Sequence, residues 1–193
     1  MTFTKRQIEI IDASKDLIGE KGVQNLTIKN LAKKMSFSEP ALYRHFKDKT
    51  QILKGLLLFH REAIKNGIFK ILDSDKNALE KIEAVLKFKF AHVEKNPALV
   101  MVIFSETSFQ YCSVLSKVVR KILDQRKKKI ISLIESGQNE GGIRSDINSE
   151  QLATIVLGGI RTTILSWKLS GFESDLKDEG KKLWETLEVL FKK

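Results

Sequence analysis

Apolar residues recur at three- and four-residue steps along nearly the whole chain, and nowhere does a sustained apolar–polar alternation point to a strand. The pattern predicts an all-α protein. Ile10, Ser14, Leu17 and Ile18 form the stripe of a first helix, roughly Thr4 to Lys21, with Gly22 as its stop. Thr27 can cap a second helix, Ile28 to Met35, whose inward face is Ile28, Leu31, Ala32 and Met35. Ser38 can cap a third that ends near Phe46. A fourth opens at Lys49 or Thr50, turns Ile52, Leu53, Leu56 and Leu57 inward, and continues to about Leu72.

The later elements are longer. Asp75 to Glu94 reads as one helix with Leu79, Ile82, Val85, Leu86 and Phe90 inward, and Asn96-Pro97 marks a restart. A helix over Tyr111 to Ser136 precedes GQNEGGIRSD, which reads as a loop for its glycines and lack of apolar period. Ser149 and Glu150 open the next helix, through Trp167; SGFES breaks it, and Ser174 starts the last. The change from short to long helices divides the chain into residues 1–50 and a helical remainder, 51–193.

Three short helices, the second and third joined by a few residues, make a helix-turn-helix over about residues 27–46. In such a unit the third helix lies in the major groove of DNA. The segment SFSEPALYRHFKDK suits that role: Leu42 and Phe46 anchor one face, while Ser38, Glu39, Ala41, Arg44 and His45 occupy the other. Charge agrees, since residues 1–70 hold 14 Lys and Arg against 7 Asp and Glu, net +7 of the chain's +10. A localised basic excess attracts a polyanion.

The run TIKNLAKKMSFSEPALYRHFKDKTQIL resembles the TetR family of bacterial transcriptional regulators, through Ala13, Gly22, Thr27, Ile28, Leu31, Ala32, Leu42, Tyr43, His45, Phe46, Lys49 and Leu53. The likeness covers roughly residues 4–55, with a looser one at WKLSGF. One departure is Ser36, where the family's turn usually carries glycine; a serine with positive φ costs on the order of 1 kcal/mol more. With the physics of helix starts, the resemblance implies that Tyr43 and His45 clamp phosphates, and that Thr27 and Lys49 present helix-terminal amides to them. Ser38, Glu39, Pro40 and Ala41 would lie nearest the base edges. Arg44 can reach guanine and Glu39 can accept from cytosine, plain solvated side chains being the other reading of these two.

The resemblance also implies that the second module binds a small molecule and forms a dimer, as in a repressor released from operator DNA by its effector. The sequence supports a homodimer through a seam of Leu152, Val156, Gly159 and Thr163 in one helix and Gly180, Leu183, Leu187 and Leu190 in the next, intrachain core being the alternative. Candidates for a hydrophobic, acyl-like effector are Phe88, His92, Phe104, Phe109, Arg161 and Trp167, the other readings being plain core for the aromatics, a satisfied core or surface histidine for His92, and a salt bridge or an exposed position on the dimer rim for Arg161. The run RKKK at Arg126 to Lys129 reads as a solvated helix face. An effector-independent architectural DNA-binding dimer is the rival.

An enzyme is disfavoured: no phosphate loop, dinucleotide fingerprint or nucleophile elbow occurs, and His45, His60 and His92 are scattered. No cofactor or metal site is expected. The lone Cys112, the absence of an apolar signal segment and the shortness of the longest unbroken apolar run, Ala98 to Phe104, point to the cytoplasm and away from a membrane.

Overall fold

The computed structural model describes residues 3–104 and 112–192, and every regular element among them is helical. In order these are α1 (Lys5–Lys21), a 3₁₀ turn (Val23–Asn25), α2 (Ile28–Met35), α3 (Glu39–Tyr43), α4 (Lys49–Leu72), α5 (Ala78–Glu94), α6 (Pro97–Ile103), α7 (Ser113–Asn139), α8 (Ser149–Leu169) and α9 (Leu176–Phe191). Phe109 and Tyr111 lie outside the described residues. Two compact units emerge, Met1–Glu62 with Asn96–Arg120 and Ala63–Lys95 with Lys121–Lys193, so the division falls inside α4 and again inside α7.

The first unit is built from locally decided pieces. Thr4 and Gln7 form a reciprocal capping box at the start of α1, the Gln7 amide donating to Thr4 Oγ1 and the Thr4 amide to Gln7 Oε1. Gly22 ends α1 at φ +80°, a left-handed value that a side chain resists. The expected stripe of Ile10, Ser14, Leu17 and Ile18 is buried. Leu31, Leu42, Phe46, Ile52, Leu53, Leu56 and Leu57 join it in one core, to which α6 adds Leu99 and Val102.

The turn between α2 and α3 keeps the left-handed residue, and Ser36 supplies it at φ 55°, ψ 39°. The Phe37 amide donates to Ala32 O at 2.9 Å and the Ser36 amide to Lys33 O at 3.3 Å, the paired bonds of a Schellman stop. Serine therefore bears the strain that glycine would avoid, and the turn is not rebuilt around it. α3 ends at Tyr43, before the expected Phe46, because the chain must turn into α4, where Asp48 Oδ1 accepts from the Gln51 amide. The Phe46 amide still reaches Leu42 O at 3.0 Å, so the last turn stays hydrogen-bonded.

In the second unit three expected boundaries move. Asn77 caps α5 in a box with Glu80, so that helix starts at Ala78 rather than Asp75; Ala78 is buried and Leu79 only partly. Asp175, not Ser174, caps α9 by accepting from the Lys177 and Asp178 amides. α7 runs through Gly137 to Asn139, into the segment expected to be loop. A Cβ at Gly137 would sit 2.5 Å from Ile143 Cδ1 and 2.8 Å from Ala78 Cβ, so the glycine is a packing site inside a helix.

Helix α9 packs on α5 and α8. The approach is close at two glycines: a Cβ at Gly180 would meet the Phe90 ring at 2.4 Å, and one at Gly159 would meet Leu183 Cδ1 at 2.8 Å. An ion pair between Lys177 and Glu94, 2.6 Å apart, lies across α9 and α5. Leu152, Val156, Gly180 and Leu187, expected at the dimer seam, are thus buried in the chain's own core, and Gly159 is covered by its own Leu183. Their spacing marked an apolar face correctly, but two adjacent helices of one chain satisfy it.

Helix α8 is long and apolar enough to cross a membrane by length and composition alone, at mean hydropathy 1.2. Its inner face of Leu152, Ala153, Val156, Ile160, Ile164 and Trp167 packs within the unit, while Ile155, Gly158, Thr162 and Ser166 face outward. A Cβ at Gly158 would touch nothing.

Candidate DNA interface and effector site

α3 is a short helix held from three directions. Ser38 Oγ accepts from the Ala41 amide at 3.3 Å, Pro40 stands in its first turn, and the fully buried Leu42 fixes its inner side. Gln7 Nε2 donates to His45 O at 3.3 Å, tying α1 to the turn that follows. Glu39, Pro40, Arg44 and Tyr43 are left exposed, Tyr43 at 51%, with Ala41 and His45 partly so. A half-exposed tyrosine beside an arginine and a histidine on a fixed helix gives donors for phosphate oxygens without first having to be ordered.

Thr27 caps α2, its Oγ1 accepting from the Asn30 amide at 3.0 Å, and the remaining first-turn amides of that helix are free of this cap. Lys49 opens α4 with its side chain partly buried. Its Nζ donates to Val23 O at 3.0 Å, and burial pulls the ammonium below its ordinary pKa. The side chain straps the 3₁₀ turn to α4. Sequence reasoning also passed over Arg6, whose guanidinium lies 5.1 Å from the Phe37 ring centroid, next to the turn before α3.

Of the six residues expected to line an effector site, Phe109 lies outside the described residues and the other five do not all belong to one unit. Phe104 belongs to the first unit; Phe88, His92, Arg161 and Trp167 belong to the second. Trp167 is buried edge-to-face against Phe172, at 4.7 Å between centroids, in the turn after α8. Arg161 is exposed, outside the core its neighbours build. Phe88 and His92 do stay together, stacked at 6.1 Å, and the Phe88 ring lies so close to Gly67 that a Cβ there would come within 2.1 Å of it.

Sequence reasoning missed Lys89, and its reading of Arg126, in the RKKK run, as part of a solvated helix face is corrected. Each retains accessible surface, yet both are so enclosed by protein that desolvation dominates their chemistry. Burial first, and the Arg126 charge second, drive the Lys89 ammonium well below its ordinary 10.5; the same two causes lower His92. The signal was available. Lys89 continues the spacing of Ile82, Leu86 and Val93 along α5, and Arg126 falls between Ile122 and Ile130 on the apolar stripe of α7.

A pH dependence follows. Between the lowered native value of Lys89 and 10.5 the unfolded chain holds a proton that the folded chain releases, so stability rises with pH across that interval. Chemical denaturation from neutral pH upward should show this limb. It should flatten in Lys89→Met, and an unchanged limb would place the ammonium in water.

Comparison with known proteins matches the description "Bacterial regulatory proteins, tetR family" to residues 10–56, and "YsiA-like protein, C-terminal region" to residues 61–189. The chain belongs to the TetR family. Its relatives include the nucleoid occlusion factor SlmA of Vibrio vulnificus (strain YJ016), 25% identical over 190 residues that cover 98% of this chain and 97% of that one. SlmA of Aliivibrio fischeri (strain MJ11) is 26% identical, with coverage of 94% and 93%.

Among solved structures, the fatty acid degradation regulator FadR from Bacillus halodurans superposes with a TM-score of 0.85 at 17% identity, over 97% of this chain and 96% of that one. FadR from Bacillus subtilis in complex with stearoyl-CoA gives 0.80 at 22%, over 95% and 98%. The TetR-family protein is therefore a DNA-binding regulator with its helix-turn-helix in the first unit. Regulators of this family bind DNA and are dimers.

Proposed function

We propose that this TetR-family regulator is a repressor, acting in the compartment that holds its DNA, released from its operator by a small hydrophobic effector and carrying out no catalysis. The observation that carries the DNA half is the fixed, outward-facing α3. Tyr43 and His45 hold phosphates with the helix starts at Thr27 and Lys49; Ser38, Glu39, Pro40, Ala41 and Arg44 lie toward the base edges. The enclosed cations of the second unit support an effector, as does the stearoyl-CoA that the similarly folded Bacillus subtilis FadR holds. The dimer seam is the outer face of α8 and α9, with Ile155, Gly158, Thr162 and Val189, in place of the buried residues expected from spacing.

Release requires the effector to bind the DNA-incompetent state more tightly, and by linkage operator DNA must weaken the effector by the same factor. A labelled duplex from the region upstream of the gene, titrated by fluorescence anisotropy at moderate salt, tests the reading. Binding should be tight relative to a scrambled duplex, and stearoyl-CoA should reduce it. Tyr43→Ala should weaken both duplexes by about tenfold, the loss of one charge-assisted contact of roughly 1.4 kcal/mol. Equal, salt-sensitive binding to both duplexes, unmoved by ligand, would refute the repressor.

The second reading is an effector-independent DNA-binding factor. It is favoured by relatives named nucleoid occlusion factors that match nearly the whole chain. Mapping of bound chromosomal sites separates the two. A few promoter sites mean a repressor; many sites spread over the chromosome away from promoters mean an architectural role.

A further inference from the structure

We propose that Lys89 of α5 and Arg126 of α7 form an anion-binding subsite, so that the effector is an amphipathic anion whose carboxylate or phosphate sits at these two side chains. This rests on the reading of the second unit as an effector domain. Both residues stand on the apolar stripes of their helices, whereas Arg161, the cation among the sequence-based candidates, lies exposed.

The first ground is the missing counter-charge. Among the described residues, no carboxylate lies within ion-pair distance of Lys89 or Arg126, whereas the neighbouring lysines Lys87 and Lys177 pair with Glu83 and Glu94. Enclosed charges in proteins are as a rule paired or hydrogen-bonded. Two enclosed cations near enough for one to depress the other's protonation repel each other, and among the described residues neither has an ion-pair partner. Repulsion of this kind does not stabilise the empty fold; it favours a ligand that cancels it.

The second ground is the set of groups around them. His92, one turn along α5 from Lys89, is held toward its neutral form by burial and by Arg126, so it can donate an N–H without adding a third positive charge. Phe88, stacked on His92, provides an apolar wall beside the cations. A guanidinium takes a carboxylate or phosphate edge-on in a forked contact, and an ammonium takes the remaining oxygen as a point charge. A neutral lipid-like molecule would leave both cations unpaired.

Isothermal titration of the full chain with dodecanoate, dodecyl phosphate and dodecanol decides the matter. The acid or the phosphate should bind at least about tenfold more tightly than the alcohol, and which of the two wins identifies the anion. Lys89→Met and Arg126→Met should each lose that preference while still binding dodecanol. Lys89→Met should also raise the melting temperature of the ligand-free protein, which loss of a structural contact would not do. Should a variant fail to fold, the wild-type comparison of acid, phosphate and alcohol is sufficient. Equal affinity for all three overturns the anion subsite and leaves an apolar effector standing. No binding of any of them by the wild type overturns the effector reading together with the subsite.

Discussion

Ile155→Arg, combined with Val189→Arg, is expected to convert the protein to a monomer and to weaken operator binding by roughly a hundredfold to ten-thousandfold, the advantage that joining two half-sites confers. Ile155 and Val189 are 46% and 76% exposed in the single chain, so the changes disturb little of its own packing. In a two-fold interface the same residues from both protomers approach the axis, and like charges brought there without counter-ions oppose association. Sedimentation velocity reads the oligomeric state, and the anisotropy titration reads affinity. A double variant that stays dimeric with full affinity would place the interface elsewhere.

Gly180→Val should behave in the opposite way, losing stability without losing the dimer directly. The new Cβ would fall 2.4 Å from the ring of the fully buried Phe90, on the helix that α9 packs against. Neither group is the far end of a flexible chain. Overpacking of this kind costs about 2 kcal/mol, or about 4–8 °C of melting temperature in a chain of this size. Thermal unfolding followed by circular dichroism measures it. Had Gly180 faced a partner, the substitution would have changed the sedimentation coefficient and left the melting curve of the isolated chain almost alone, so the pair of variants separates core from interface.

Those two variants show where sequence reading succeeds and where it stops. Periodicity placed α2 at Ile28–Met35 and α4 at Lys49–Leu72, because a capping residue and an apolar stripe are local properties that survive in any tertiary setting. It also found the all-helical fold and the helix-turn-helix in the first unit. It did not reveal that the expected seam of α8 packs within its own chain, since a seam inside a chain and one between chains show the same spacing. Gly158 and Gly159 are adjacent, yet one opens onto empty space and the other onto Leu183.

The described effector candidates do not all fall in one unit, for a related reason. Aromatic residues were gathered by type, whereas the structure sorts them by unit and leaves Trp167 to a turn. Lys89 and Arg126 were passed over because charged residues are counted as surface by default; only their place on the apolar stripes of α5 and α7 marks them. The shortened α3 and the extended α7 have a common cause as well. Helix ends depend on what the chain must reach next, Asp48 in one case and Ile143 in the other.

The support of α3 has a kinetic consequence. With Ser38 capping it, Leu42 seated in the core and Gln7 holding the His45 carbonyl, the recognition helix is already formed in the free protein. Encounter with DNA then need not wait for a segment to fold, and the association rate is left to diffusion, orientation and the pull of the basic first third of the chain. Differences between one DNA sequence and another would accordingly be felt in how long the protein stays rather than in how fast it arrives.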